Sequence, residues 1–147
     1  VVQWSYSYDG AGRVTQVQSS FGETTSYTYD DEGKLLSQTN SNQTSTHYSY
    51  NHARGWPTQI EHRLSGTAFA RYDLDYDSGA NTVGNLTKVT ELSGDVMTYS
   101  YDALYRLVQE VRTNSYSRSY SYDLAGNITE LDGLAFASYD DANKISS

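Results

Sequence analysis

A short tyrosine motif, Tyr-x-Tyr-Asp, recurs from one end of this chain to the other and constrains the fold more than any other feature. Its first copy is Tyr6, Tyr8 and Asp9. The later copies, some degenerate, are Tyr27, Tyr29 and Asp30; Tyr48, Tyr50 and Asn51; Leu74, Tyr76 and Asp77; Tyr99, Tyr101 and Asp102; Tyr120, Tyr122 and Asp123; and Ala137, Tyr139 and Asp140. Successive second tyrosines are separated by 21, 21, 26, 25, 21 and 17 residues. The chain is therefore a tandem array of about seven units.

Each motif is followed by a turn and then by a polar or basic residue and an aliphatic one. Examples are Gly12-Arg13-Val14, Gly33-Lys34-Leu35, Gly84-Asn85-Leu86, Tyr105-Arg106-Leu107, Gly126-Asn127-Ile128 and Asn143-Lys144-Ile145, whereas the third unit has Gly55-Trp56-Pro57. Tyrosines two apart point to the same face of a strand, an Asp side chain bonds backbone N–H groups of a following turn, and Gly accepts a positive φ. One unit is therefore predicted to be one β-hairpin, giving about 14 antiparallel strands.

The composition favours an all-β fold. Tyr supplies 15 residues against three Phe, two Trp and one Met, so any core must be built largely from tyrosine. Equivalent tyrosines should stack as columns on a buried or half-buried face of the sheet. We expect residues 1–147 to form a single domain, with surface loops in the polar stretches from Ser37 to Thr46 and from Thr113 to Ser119.

Charge and hydropathy exclude several classes of partner. The net charge is −8, with ten basic and 18 acidic residues and no basic cluster, so we expect no nucleic acid partner. No apolar stretch approaches the roughly 20 residues that a membrane span needs. The chain has no cysteine, so neither a disulfide framework nor a thiolate nucleophile is available.

The segment Tyr6 to Val14, Tyr-Ser-Tyr-Asp-Gly-Ala-Gly-Arg-Val, resembles the repeat of the Rhs/YD family, and Tyr27 to Leu35 and Tyr120 to Ile128 match nearly as well. The family includes bacterial Rhs and wall-associated proteins, the B and C components of insecticidal toxin complexes, and teneurins. The resemblance implies an antiparallel sheet of about seven YD-repeat β-hairpins, spiralling or curled into a partial shell or barrel. It also implies a structural protein, secreted or at the cell surface.

Two features of toxin-bearing members are missing from this sequence. The self-cleaving segment rich in Pro, Gly, Asp and Arg does not occur, since Pro57 is the chain's single proline, and no effector sequence follows the last repeat. We therefore expect a wall without cargo, used for encapsulation, scaffolding or extracellular assembly and adhesion. The motif residues given above are expected to be structural, with no catalytic, cofactor-binding or metal-binding residue and no cofactor.

Three candidate chemistries are outweighed by simpler explanations. Asp73, Asp75 and Asp77 suggest a calcium loop, but Ser78 and Gly84 stand where that loop requires Gly and Glu. His47, His52 and His62 have no recognised zinc spacing. A glycosidase carboxylate pair is conceivable among the acidic residues, although turn formation accounts for the motif Asp residues. No Gly-x-Ser-x-Gly elbow or phosphate loop occurs.

Two alternative functions stay open from the sequence. A carbohydrate or cell-surface binding module would use exposed aromatics such as Trp56 to bind surface glycans. The unpaired backbone groups of the terminal strands would be satisfied by continuation into further YD repeats of a longer chain, by closure into a barrel, or by pairing with a neighbouring copy of the chain, which would give a homo-oligomer, fibre or tube. The glycosylation patterns Asn42-Gln43-Thr44, Asn85-Leu86-Thr87 and Asn127-Ile128-Thr129 also occur, and the repeat itself accounts for the last two.

Overall fold

The computed structural model describes residues 1–79, 83–140 and 144–146, and every element in these ranges is a β-strand. The fifteen strands are β1 (Trp4–Tyr8), β2 (Val14–Ser19), β3 (Thr24–Tyr29), β4 (Leu35–Asn40), β5 (Thr44–Tyr50), β6 (Pro57–Leu64), β7 (Thr67–Tyr76), β8 (Leu86–Glu91), β9 (Val96–Tyr101), β10 (Leu107–Arg112), β11 (Tyr116–Tyr122), β12 (Ile128–Leu131), β13 (Leu134–Ala135), β14 (Ser138–Tyr139) and β15 (Ile145–Ser146). The predicted all-β class is confirmed.

The sheet follows the order of the chain. Strands β1 to β13 form one sheet in which each strand is hydrogen-bonded to its neighbours in sequence, and the registers between these strands are antiparallel. The last two strands, β14 and β15, pair only with each other. The degenerate seventh motif, which includes Tyr139 and Asp140, therefore lies outside the main sheet. No helix that could span a membrane occurs in the described part of the chain.

The chain divides into two compact units, Val1–Asp73 and Leu74–Ser147. The first contains β1 to β6 and most of β7. The second contains the end of β7 and the later strands. In both units each Tyr-x-Tyr-Asp motif ends one strand, and the aliphatic residue after the turn begins or immediately precedes the next, as the hairpin prediction requires.

The polar stretches predicted as surface loops are mostly strand. Ser37 to Asn40 belong to β4, Thr44 to Thr46 belong to β5, and Tyr116 to Ser119 belong to β11. Only three-residue turns separate these strands, with the positive φ at Gln43 and Asn114. The loop prediction was wrong because it treated polarity as evidence against a strand, whereas Ser, Thr and Gln can occupy a strand that has little core to face.

A β-bulge recurs in the hairpins that carry the motif. Tyr8 pairs with Val14 while Ser7 pairs with Gln16, so one residue of the outgoing strand is unmatched. The same shift precedes Tyr29, Tyr50, Tyr101 and Tyr122. A bulge increases the local twist and redirects side chains, so in these five hairpins the second tyrosine of the motif is placed by a distortion that the sequence pattern did not reveal.

The sheet has very little buried core. Among the described residues Val89, at 5% exposure, is the only buried hydrophobic side chain, and no large side chain is fully buried. Most motif tyrosines are half-buried, which agrees with the weaker form of the tyrosine-face prediction, whereas Tyr6 and Tyr8 on β1 are exposed. Hydrogen bonds and contacts between neighbouring repeats must therefore carry much of the stability that a core usually supplies.

Candidate functional site

The Asp of each motif organises its own turn. In the first hairpin Asp9 Oδ1 accepts hydrogen bonds from the backbone N–H groups of Ala11 and Arg13, each at 2.9 Å. Asp102 Oδ1 does the same with Leu104 and Arg106, again at 2.9 Å. The equivalent side-chain bonds to turn N–H groups occur at Asp30, Asn51, Asp77, Asp123 and Asp140. This is the contact expected of an Asp at the start of a tight turn.

These contacts favour the ionised carboxylate. The backbone hydrogen bond from Arg13 and then its guanidinium lower the pKa of Asp9. The backbone N–H and side chain of Arg106 lower the pKa of Asp102 in the same way. The carboxylates of Asp9 and Asp102 are thus held as anions that accept hydrogen bonds, not as proton donors.

The turn also requires a left-handed residue just before the basic position. Gly12 has φ 80° and Gly126 has φ 91°, a conformation that glycine adopts without steric cost. In the fifth unit Tyr105 occupies the same position with φ 62°. The turn geometry is therefore retained even where the residue best suited to it is replaced.

The basic residue after the turn joins its own repeat to the next. Arg13 Nε lies 2.7 Å from Asp9 Oδ2 within the same hairpin. Arg13 Nη1 donates a hydrogen bond to the backbone oxygen of Asp30 at 2.8 Å, and the guanidinium lies 4.8 Å from the ring centre of Tyr29. One side chain thus makes an ion pair within its hairpin and two contacts to the following one. We call this set of contacts, together with the tyrosine hydroxyl bond described next, the repeat clasp.

The second tyrosine of the following motif completes the repeat clasp by a hydrogen bond back to the preceding hairpin. Tyr29 Oη donates to the backbone oxygen of Val14 at 2.8 Å. Such a bond, reaching back fifteen residues, also joins Tyr50 to Leu35, Tyr101 to Leu86 and Tyr122 to Leu107, at 2.6–2.8 Å. Burial raises the pKa of Tyr50, Tyr101 and Tyr122, which keeps these hydroxyls as donors.

The clasp varies with the residue at the basic position. The clasp of Arg106 closely repeats that of Arg13. Arg106 Nε lies 2.7 Å from Asp102 Oδ2, Nη1 donates to Asp123 O at 3.0 Å, and the guanidinium lies 4.6 Å from the Tyr122 ring centre. Lys34 pairs with Asp30 at 3.4 Å and lies 5.8 Å from the Tyr50 ring centre. At Asn127 the side-chain amide donates to Asp123 Oδ2 at 2.9 Å within its own turn.

The first tyrosine of each motif behaves differently from the second. In the described part of the chain the hydroxyls of Tyr27, Tyr48 and Tyr120 have no hydrogen-bond partner, and that of Tyr99 donates to Met97 Sδ at 3.7 Å. The first tyrosines therefore contribute half-buried ring surface, whereas the second ones contribute a directed bond. The sequence motif does not distinguish these two roles.

The alternative site residues do not come together. Asp73 is bonded by Gln59 and Arg71, Asp75 pairs with Lys88 at 2.6 Å, and Asp77 accepts from Gly84 N. His47 bonds Ser45 on one face of the sheet, and His62 bonds Thr46 on the opposite face. His52 is exposed in a turn. No group of three His, Cys, Asp or Glu residues suited to a metal ion occurs among the residues that the structure describes.

Trp56 was expected to be an exposed aromatic available to a sugar, and this was wrong. Its side chain is half-buried, and the Arg54 guanidinium lies 4.7 Å from its ring centre. The guanidinium therefore occupies one face of the ring, which is no longer available for stacking a sugar.

A charged cluster that was not predicted from the sequence lies in the compact unit Leu74–Ser147. Arg112 forms two bonds of 2.8 Å with the two carboxylate oxygens of Glu91 and one of 3.0 Å with Asp95, and these contacts raise its pKa. Glu91 and Arg112 lie on β8 and β10, so Arg112 spans the intervening strand β9. Opposite charges one repeat period apart were the available indication, because they fall at equivalent places in successive hairpins.

Comparison with known proteins agrees with this architecture. The family model described as RHS Repeat matches residues 8–43, 29–68 and 81–116, more than half of the chain. No curated protein matches the sequence.

Solved toxin-complex structures share the fold. The crystal structure of TcdB2-TccC3-Cdc42 superposes with a TM-score of 0.73 at 20% identity over 88% of this chain. A crystal structure of TcdB2-TccC3 without its hypervariable C-terminal region gives 0.69 at 19% identity over 85%. The Photorhabdus luminescens Tc holotoxin pore, with a mutation in TccC3, gives 0.62 at 18% identity over 96%. This chain spans only 8%, 7% and 9% of the lengths of those chains.

Proposed function

The chain belongs to the RHS repeat family, and from that premise we propose that it is a wall segment: a sheet of YD hairpins with a structural role in a larger secreted or cell-surface assembly. The observation that carries the proposal is the repeat clasp in a sheet with almost no core. A wall must hold neighbouring elements together along its length, and the tyrosine-to-carbonyl bond recurs at Tyr29, Tyr50, Tyr101 and Tyr122 with the same fifteen-residue spacing. Such a role requires no catalytic residue and no cofactor.

Encapsulation is the finer form of the proposal. Similarity to stretches of TcdB2-TccC3 and of a Tc holotoxin supports a place in the wall of a complex of that kind. Under this proposal the motif tyrosines and Asp residues are the structural residues of the wall, residues 1–147 act as one YD-repeat array, and the protein works outside the cell that makes it.

The partner of such a segment is another YD hairpin. Trp4, Tyr6 and Tyr8 on β1 are 56%, 55% and 59% exposed, whereas the equivalent Tyr27 and Tyr29 are half-buried next to the preceding hairpin. The strand that follows a motif turn in another hairpin, with a basic and an aliphatic residue equivalent to Arg13 and Val14, would cover this edge. A second copy of the chain could supply that strand, which would give a homo-oligomer or filament.

Duplicating one repeat tests the wall proposal. A chain made of residues 1–29 followed by residues 9–147 adds two turns, two strands and one clasp while leaving both ends unchanged. If repeats dock on one another as wall elements, the added unit should fold and increase both the free energy of unfolding and its dependence on urea. The control carries Arg13→Ala and Tyr29→Phe in the added copy and should gain less. An inserted unit that stays unprotected from hydrogen exchange would refute the proposal.

Electron microscopy of residues 1–147 at several concentrations tests the edge. Fibres or tubes that disappear when Trp4 and Tyr6 are replaced by Lys would support filament formation through β1. Discrete particles at every concentration would exclude it and leave the wall within a larger chain as the favoured arrangement. A carbohydrate-binding role is less favoured, because the aromatic expected to carry it, Trp56, lies under Arg54.

A further inference from the structure

Three segments of the chain carry the pattern Asn-x-Thr, and the folded structure treats them very differently. A sugar is transferred to the side-chain nitrogen of such an Asn only if that nitrogen reaches solvent and the threonine hydroxyl is accessible. Asn42, Asn85 and Asn127 are the three candidates. The wall proposal gives no role to the first of them, which lies in the turn between β4 and β5.

Asn42 is presented at the tip of its hairpin. Ser41, Asn42 and Gln43 are all exposed. The residues on either side of Asn42 are tied to β3 and to the turn between β6 and β7: Ser41 N donates to Thr24 O at 2.8 Å, and Ser65 Oγ donates to Gln43 Oε1 at 2.6 Å. The tip is therefore held in place from both sides. Among the described residues nothing accepts a hydrogen bond from Asn42 Nδ2.

The carboxamide of Asn42 is also oriented by the threonine of its own pattern. Thr44 Oγ1 donates to Asn42 Oδ1 at 2.6 Å, and Thr44 N donates to the same oxygen at 3.1 Å. Both bonds engage the oxygen and direct the nitrogen away from the strand. Hydrogen bonding at the amide oxygen also withdraws electron density from it, which favours loss of a proton from the nitrogen.

The other two candidates are blocked. Asn127 Nδ2 donates to Asp123 Oδ2 at 2.9 Å, inside the motif turn. In the remaining pattern Asn85 is half-buried, and Thr87 is only 4% exposed, with its hydroxyl donating to Asp75 O at 3.1 Å. Asn127 and Thr87 are thus used by the repeat itself.

We propose that Asn42 is an acceptor site for N-linked glycosylation of the folded chain, and that Asn85 and Asn127 are not. The donor is a sugar activated as a glycosyl diphosphate. The Asn42 side-chain nitrogen forms a bond to the anomeric carbon, the bond from that carbon to the diphosphate oxygen breaks, the diphosphate leaves with the bonding electrons, and the amide loses one proton. This inference does not depend on the wall proposal.

The test is transfer of glucose from UDP-glucose to the purified chain by a soluble N-glycosyltransferase, in native buffer and in parallel on chain unfolded in urea and diluted at once into the reaction. We expect native chain to gain the mass of one hexose, mapped to Asn42 by peptide mass spectrometry, and unfolded chain to be modified at more than one of the three sites. Asn42→Asp, which keeps the oxygen that Thr44 bonds, should abolish the native product.

Two further variants keep the result specific to the hairpin tip. Thr44→Val preserves the branched shape but removes the hydroxyl and should abolish transfer, whereas Thr44→Ser should retain it. Circular dichroism of each variant establishes that it is folded. Native chain that is unmodified, or that carries hexose on Asn85 or Asn127 as readily as on Asn42, would overturn the proposal.

Discussion

Removing one hydroxyl from the repeat clasp should separate the roles of the two tyrosines in a motif. In Tyr122→Phe the ring stays beneath Arg106, but the 2.6 Å bond from the hydroxyl to Leu107 O is lost. A hydrogen bond of this type contributes a net ~0.5–1.5 kcal/mol, so for a half-buried site we expect a loss of about 1 kcal/mol in the free energy of unfolding. Tyr120→Phe is the matched control, because the Tyr120 hydroxyl has no partner in the described part of the chain.

Urea unfolding followed by far-ultraviolet circular dichroism measures the difference. With a denaturant dependence of roughly 2 kcal/mol per molar urea, the expected loss moves the midpoint by about 0.5 M for Tyr122→Phe, and Tyr120→Phe leaves it unchanged. Tyr29→Phe and Tyr27→Phe repeat the comparison in the second motif, since Tyr29 donates to Val14 O and Tyr27 has no such bond. Equal costs at the two tyrosines of a motif would refute the proposed division of roles.

Three further perturbations follow from the same contacts. Arg106→Lys keeps the charge beside Asp102 but loses the planar bond to Asp123 O, so we expect a loss of about 1 kcal/mol by urea unfolding. Arg118→Lys, where the guanidinium lies over Tyr116 near the surface, should cost close to nothing, and equal costs would contradict the clasp. Gly126→Ala meets no atom within 4 Å but forces φ 91° on a residue with a Cβ, so a loss of ~1 kcal/mol is expected and an unchanged thermal midpoint would contradict it. Burial raises the pKa of Tyr101 and Tyr122, so the folded state holds these protons more tightly than the unfolded one; this stability is complete below about pH 10 and falls as the pH rises through the folded values. Urea midpoints measured from about pH 8 to pH 11 should show that fall, with a shallower slope in Tyr101→Phe, and a flat profile for the wild type would contradict it.

The hairpins could be predicted from the sequence because their determinants are local. Tyr27, Tyr29 and Asp30 are neighbours in the chain, and strand alternation and turn chemistry act over the same few residues. The observed β3 and β4 and the Asp30 turn between them follow from those rules. Repetition then extends the result along the chain without any knowledge of packing.

The contacts between repeats could not be predicted in the same way. That Tyr29 bonds Val14 O depends on the bulge at Thr28 and Tyr29, and nothing in the motif indicates the bulge. The polar stretches of β4 and β11, Ser37 to Asn40 and Tyr116 to Ser119, were assigned to loops for a related reason: hydrophobic alternation identifies a strand only where one face is buried. The exposure of Trp56 was predicted wrongly because Arg54, whose guanidinium lies over its ring, belongs to an irregular turn.

A sheet without much core explains why the repeat combines these particular residues. Tyrosine supplies ring surface for a face that is only half-buried, and its hydroxyl reaches the backbone of the preceding hairpin, which Phe or Leu could not do. The Asp holds its turn and at the same time fixes Arg13 or Arg106 by an ion pair, so the guanidinium is already positioned for the next repeat. Where Asn127 replaces the basic residue, its side-chain amide donates to Asp123 Oδ2 within its own turn. Stability in such an array is set between nearest neighbours. Exchange of the residue after the turn therefore offers a way to tune one contact of the wall without changing the fold of the hairpin that carries it.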